Sequence, residues 1–188
     1  MTYDKLLVLD MDETLLYSVS PGSLHRTLGP PDFEGVYDTY WRPYVHAFLD
    51  EALESYREVA IWTAGTLSYA LPLVEALGVK DRLSFVWGRE RCTSRWDRED
   101  DQHTFLKPLK KLLRRGYRKE QVLVVDDTPA KLKRSYGNLV PIRPFLGESD
   151  DKDLLYLMRY LHELGPVPNV RPLEKRGWWK KYLDEGAS

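Results

Sequence analysis

The stretch Lys5-Leu6-Leu7-Val8-Leu9-Asp10-Met11-Asp12-Glu13-Thr14 constrains this chain more than any other. Leu6 to Leu9 are apolar without alternation, the pattern of a parallel strand covered on both faces. The run stops at two carboxylates. In extended chain, residues two apart point the same way, so Asp10 and Asp12 share a side and Met11 turns to the other. Neighbouring carboxylates at a strand end repel unless a cation or a shared proton relieves them. Mg²⁺, a hard cation that takes oxygen ligands, is the natural partner. A lone D-x-D would still be an ordinary polar turn, so the rest of the chain has to decide.

Similar punctuation recurs downstream. Val45, Phe48, Leu49, Ala52, Leu53 and Tyr56 follow helical spacing, with Pro43 expected in the first turn. Val59-Ala60-Ile61-Trp62 is a second buried strand, ending in Thr63-Ala64-Gly65. Leu67 to Leu77 reads as a helix that Pro72 should kink or restart, and that Gly78 stops. Ser84-Phe85-Val86-Trp87 suggests a third strand; the charged stretch from Gly88 to His103 reads as loop. Leu106, Leu109, Leu112 and Leu113 predict a third helix, and Gln121 to Val125 a strand ending in Asp126-Asp127. Thr128-Pro129 has the form of an N-cap and first-turn proline. Leu139 to Ile142 predicts a last strand, and Leu154, Leu157, Met158 and Leu161 a late helix opened by Asp150 and Asp151. The turn-rich segment from Tyr17 to Trp41 has room for a short hairpin and not for a domain.

Alternating strands and helices imply a doubly wound α/β fold around a parallel sheet. Its ligands bind beyond the carboxyl ends of the strands, where the strand order reverses. Asp10, Asp12, Thr63, Asp126 and Asp127 all stand at such ends, and Lys107 precedes the fourth strand. Carboxylates for a metal, a hydroxyl and an ammonium together suit a phosphate group. With 188 residues, one domain is expected, its core over about 5–165 and a tail, 166–188, packed on the surface. A net charge of -1 leaves nucleic acid neither favoured nor excluded. The single cysteine, Cys92, rules out an intrachain disulfide, and no apolar run suggests a signal peptide or membrane span. A cytoplasmic protein, or a nuclear one in a eukaryote, is expected.

In that order, the motifs resemble the haloacid dehalogenase superfamily of aspartate-based phosphatases, and within it the FCP/SCP branch that acts on the RNA polymerase II C-terminal domain. Asp10-Met11-Asp12-Glu13-Thr14-Leu15 is similar to the branch's D-L-D-E-T-L. Arg42-Pro43 with Phe48 and Leu49 resembles R-P-x-x-x-x-F-L, Trp62-Thr63-Ala64-Gly65 resembles F-T-A-S, and Asp126-Asp127-Thr128-Pro129 resembles D-[DN]-[ST]-P. Gly65 stands where the family has Ser, and Lys107-Pro108 where it has Lys-Asp. The resemblance implies that Asp10 is the nucleophile and Asp12 the general acid and base. It implies phosphate binding by Thr63, Ala64 and Lys107. Mg²⁺ would be held by Asp10, the backbone carbonyl of Asp12 and Asp127, with Asp126 adjacent.

Neither insertion point holds enough sequence for a large cap, and an open site favours a large phosphorylated substrate. A phosphoprotein is the first choice, with Tyr69 and Arg89 matching positions that line the peptide groove in the resembled family. Tyr69 could equally be a core aromatic. A polynucleotide end is the alternative, since seven basic and no acidic residues lie between 107 and 119 and the tail interleaves Lys with Trp178, Trp179 and Tyr182. Such runs are more often solvated faces. The third possibility is a catalytically inactive binding domain, against which the intact Asp10 and Asp12 argue. His25, His46, His103 and His162 lack ligand spacing and read as surface or packing residues.

Overall fold

The apolar run lies in β1 (Tyr3–Leu9), buried from Lys5 onward. The computed structural model describes residues 2–22, 28–97 and 102–183. After β1 come β2 (Leu16–Val19), β3 (Phe33–Glu34), β4 (Asp38–Trp41), α1 (Val45–Ser55), β5 (Tyr56–Trp62) and α2 (Leu67–Ala76). Next are β6 (Phe85–Trp87), β7 (Thr93–Asp97), β8 (Gln102–Leu106) and α3 (Lys110–Leu113). The chain ends with β9 (Val122–Asp126), β10 (Leu139–Pro141), α4 (Asp153–Leu164) and α5 (Lys180–Leu183).

Five strands in the order β10-β9-β1-β5-β6 form an all-parallel sheet. From β1 the chain steps outward to β5 and β6, then returns to the other side of β1 for β9 and β10. The reversal therefore falls between β1 and β9, and a crevice opens at their carboxyl ends. Side-chain alternation assigns the two faces. Leu7, Leu9 and Met11 pack with Leu123 and Val125 in the core that includes Phe48, Leu49, Val74 and Leu157 of the helices. Leu6, Val8, Val122 and Val124 pack on the opposite face with Trp62, Leu109 and Leu112. Asp10 and Asp126 continue these second rows, so alternation sends both carboxylates to the same face. This is the expected doubly wound α/β fold.

Several local expectations need correction. The stretch from Gly88 to His103 is not all loop, because β7 and β8 pair antiparallel from Thr93↔Leu106 to Asp97↔Gln102. Its charged, uncovered faces hid it from an apolar pattern. Leu106 consequently ends a strand, and the third helix shrinks to α3. The segment before α1 carries a three-stranded antiparallel sheet, β2-β4-β3, and not a single hairpin. Pro43 lies before the N-cap of α1, Tyr44, which is left-handed at φ 67. Pro72 sits inside α2 without resetting its start, which Thr66 caps by accepting the Tyr69 N–H. Thr128 and Pro129 open a 3-10 turn. Asp151 accepts the Asp153 N–H at the start of α4, 3.0 Å away.

Nor is the tail merely laid on the surface. Val170, Trp178 and Tyr182 are buried in the main core. Trp178 stacks on Tyr160 with centroids 5.1 Å apart, and its indole N–H donates to the Pro141 carbonyl at 2.6 Å. Among the histidines, His46 is exposed, His103 stacks edge-on against Trp96, and His162 bonds Tyr3 and Glu51. His25 lies outside the described residues. Burial at this depth makes Trp178→Ala expensive. A loss of roughly 3–5 kcal/mol is expected in urea denaturation; a loss below about 1 kcal/mol would restore the surface-tail reading.

Candidate active site

Register brings the acidic strand ends together. Leu9 pairs with Val125, and the Asp10 N–H donates to the Val125 carbonyl at 3.0 Å. Asp10 is 1% exposed and Asp126 fully buried, so their charges require compensation. Two ammoniums supply it. Lys107 Nζ lies 2.8 Å from Asp10 Oδ1 and 2.6 Å from Asp126 Oδ2. Lys131 Nζ lies 2.7 Å from Asp10 Oδ2 and 3.3 Å from Asp126 Oδ1. Burial pushes the Asp10 carboxyl up, but Lys107 and then Lys131 outweigh it and hold the group down at about 2. For Asp126, burial and the facing Asp10 outweigh the same lysines and raise it.

Lys107 reaches this position from the end of β8, and not from a helix. The hairpin ends there, and the Lys107 N–H donates to the Lys131 carbonyl at 2.8 Å. Lys131 itself was missed by sequence reasoning. It stands on the 3-10 turn Pro129–Leu132, four residues beyond Asp127, and its only advance signal was that one-turn spacing from the acidic pair.

Asp12 occupies a different environment. Thr63 Oγ1 donates to Asp12 Oδ2 at 3.0 Å and accepts the Gly65 N–H at 2.9 Å. The Tyr69 hydroxyl donates to Asp12 Oδ1 at 2.5 Å. With its proton so used, its oxygen takes the hydroxyl proton of Ser18, 2.8 Å away, and Ser18 is 2.8 Å from buried Thr39. Burial raises the Asp12 carboxyl, and the hydrogen bonds from Tyr69 and Thr63 only partly offset it. Gly65 lets the tyrosine approach, since a Cβ there would stand 2.7 Å from the Tyr69 ring. Ser18 and Thr39 carried no signal in the sequence; their β2–β4 pairing brings them in.

Beside Asp12 lies a cleft of about 410 Å³ lined by Ser18, Tyr37, Ala64, Tyr69 and Arg89, among others. Arg89 Nε donates to the Ala64 carbonyl at 2.7 Å, and the guanidinium lies over Phe105, 4.4 Å from its centroid. The sequence-predicted residues Tyr69 and Arg89 thus share one cleft with Ala64.

Asp10, Asp126 and Asp127 each offer an oxygen within 4.8 Å of the others. This oxygen-only set, two of its three members buried, suits a hard divalent cation. The Lys131 ammonium lies against one oxygen of each member, which shows that the position accepts positive charge. Asp12 contributes no carboxylate to the set, because its side chain is turned to Thr63 and Tyr69.

The pattern along the whole chain decides its kinship, for residues 5–171 match the NLI interacting factor-like phosphatases. The chain belongs to this family. Nuclear envelope morphology protein 1 of Schizosaccharomyces pombe is 30% identical over 178 residues, covering 90% of this chain and 35% of that protein. A probable C-terminal domain small phosphatase of Dictyostelium discoideum is 30% identical over 171 residues, covering 89% of this chain and 53% of the relative. The chain therefore spans about a third to a half of the length of these family relatives. The solved fission yeast RNA polymerase II CTD phosphatase Fcp1 shares the fold over 98% of this chain and 56% of its own, with TM-score 0.55 and 17% identity. A haloacid dehalogenase-like hydrolase of Xanthomonas campestris shares it over 88% and 97%, with TM-score 0.54 and 11% identity.

Lys107 is the more enclosed of the two ammoniums that both buried aspartates share, and removing it leaves Lys131 alone to compensate two carboxylates. Lys107→Met is expected to lower the stability of the metal-free protein by about 3–5 kcal/mol in urea denaturation. Unchanged stability would mean that Lys107 is not what compensates them.

Proposed function

We propose that the chain is a Mg²⁺-dependent phosphomonoester hydrolase that works through an aspartyl-phosphate on a phosphorylated protein or peptide. One observation carries this reading: two aspartates two residues apart have opposite environments. Asp10 is held ionised by two ammoniums, whereas Asp12 is raised by burial and oriented by two hydroxyls. A nucleophile has to be anionic and a general acid is helped by a raised carboxyl, so the opposite directions of the two shifts support these two roles.

In the first step a carboxylate oxygen of Asp10 attacks phosphorus. The P–O bond to the leaving group breaks, and Asp12 protonates the departing oxygen. In the second, Asp12 takes a proton from water, the resulting hydroxide attacks the same phosphorus, and Asp10 leaves as carboxylate with release of phosphate. Thr63, Ala64 and Lys107 bind the phosphoryl oxygens, where Lys107 offsets charge that grows in the transition state. Mg²⁺ held by Asp10, Asp126, Asp127 and the backbone carbonyl of Asp12 would supply further positive charge to those oxygens. Tyr69 holds Asp12 in place, and with Arg89 it lines the path of the substrate.

The open cleft beside Asp12 and the names of the C-terminal-domain phosphatase relatives support a protein substrate. A polynucleotide end is less well served. Trp178 and Tyr182, which would have stacked on bases, are buried in the core. A direct comparison tests both. Phosphate release should require Mg²⁺, stop in EDTA, and show higher kcat/KM for phosphopeptides than for phosphorylated oligonucleotides, sugar phosphates or nucleotides. Higher kcat/KM for a small metabolite than for every macromolecular substrate would sink the substrate assignment, and full activity in EDTA the metal one.

The two carboxylates separate by leaving group. Asp12→Asn should lose about 10²–10⁴-fold on phosphoserine peptide, whose alkoxide needs a proton. An aryl phosphate with an acidic phenol should lose less in the first step, giving a burst of phenol and then slow turnover in rapid-quench experiments. Asp10→Asn should form no phosphoenzyme. Phosphoserine turnover by Asp12→Asn at the unmodified rate would remove Asp12 from its role.

A further inference from the structure

The Lys131 ammonium stands where the proposed metal would bind. It is 2.7 Å from Asp10 Oδ2, 3.3 Å from Asp126 Oδ1 and 3.4 Å from Asp127 Oδ1, the three residues of the candidate metal set. A divalent cation bonded to one oxygen of each would need the same space. Two positive groups do not share it, because their repulsion is strongest where burial thins the solvent between them.

We propose that Lys131 is a built-in competitor for the metal, compensating the carboxylates in the metal-free protein and lowering its affinity for Mg²⁺ because its side chain must leave when the ion binds. This rests on the metal reading above.

Three further observations fit. Lys107 bonds the other oxygens, Asp10 Oδ1 and Asp126 Oδ2, so both aspartates keep a partner when Lys131 leaves. Lys107 has a side chain 0% exposed and is enclosed, while that of Lys131 is 16% exposed and has a way out. The backbone need not follow. The Lys131 N–H donates to the Thr128 carbonyl at 3.0 Å and its carbonyl accepts the Lys107 N–H at 2.8 Å, which leaves only a flexible four-carbon stem to swing. When a binding-competent arrangement is only part of the population, apparent affinity falls by that fraction. Lys131 thus sets a threshold: the site fills when the divalent ion is abundant enough to expel the ammonium.

The test reads metal binding directly. Mn²⁺ replaces Mg²⁺ as probe, and free Mn²⁺ is followed by electron paramagnetic resonance during titration of the full chain. Lys131→Met and Lys131→Gln remove the charge, and Gln also keeps a polar end should Met disturb the fold; circular dichroism checks both. Each should bind Mn²⁺ at least about tenfold more tightly than the parent, because the ion no longer has to displace an ammonium from Asp10, Asp126 and Asp127. Their melting temperatures should fall without metal and rise more on adding Mn²⁺ than the parent's. Lys131→Arg keeps a cation and should bind like the parent. Equal Mn²⁺ affinity in the parent and both uncharged variants would overturn the competitor and leave the metal site standing. Absence of Mn²⁺ binding in every form would overturn the metal site and the competitor with it.

Discussion

Two adjacent parallel strands of this protein end in buried aspartates, and everything at the site follows from the need to compensate them. Asp10 and Asp126 come together because β1 and β9 pair in register and alternate in step. Neither carboxylate can stay charged and dry by itself. Lys107 and Lys131 each take one oxygen from both, so negative and positive groups alternate around the cluster.

The loop behind Asp12 is held with comparable care. Arg42, 1% exposed, grips Asp151 with two bonds at 2.9 and 2.8 Å, lies 3.2 Å from Asp153, and donates to the Thr14 carbonyl at 3.1 Å. From the same side the Phe145 N–H donates to the Glu13 carbonyl at 2.8 Å. These bonds tie the acidic loop to the start of α4 and fix it while it passes through a left-handed turn at Glu13, φ 59. The Arg-Pro motif therefore serves the site from behind, and Phe48 and Leu49 that follow it are core residues. The small β2-β4-β3 sheet serves it from the front, bringing Ser18 to Tyr69 and so to Asp12.

Much of this was legible in the sequence, where a single physical signal sufficed. Unbroken apolar runs marked β1, β5 and β9, since strands covered on both faces leave no polar position. Helical spacing marked α1 and α4. Other elements gave no such signal. In the hairpin β7–β8, Arg95, Trp96 and His103 lie outside any core, so nothing in their order separated a strand from a loop. The tail reads as polar and basic because its buried members, Val170, Trp178 and Tyr182, are scattered among lysines and prolines.

The sequence by itself determined that Asp10 and Asp126 would end buried strands, because apolar continuity and the abrupt change to carboxylates are local properties of the chain. Alternation, with its period of two, put Asp10 in the row of Leu6 and Val8 and Asp126 in the row of Val122 and Val124. The pairing of β1 with β9 put the two rows, and with them both carboxylates, on one face. Only the tertiary structure decided which cations meet them. Lys107 arrives on a hairpin, Lys131 on a 3-10 turn, and Ser18 and Thr39 through an added sheet. Each of those positions depends on pairing between segments far apart in the chain, and the energy that selects the pairing lies in contacts that local order does not encode.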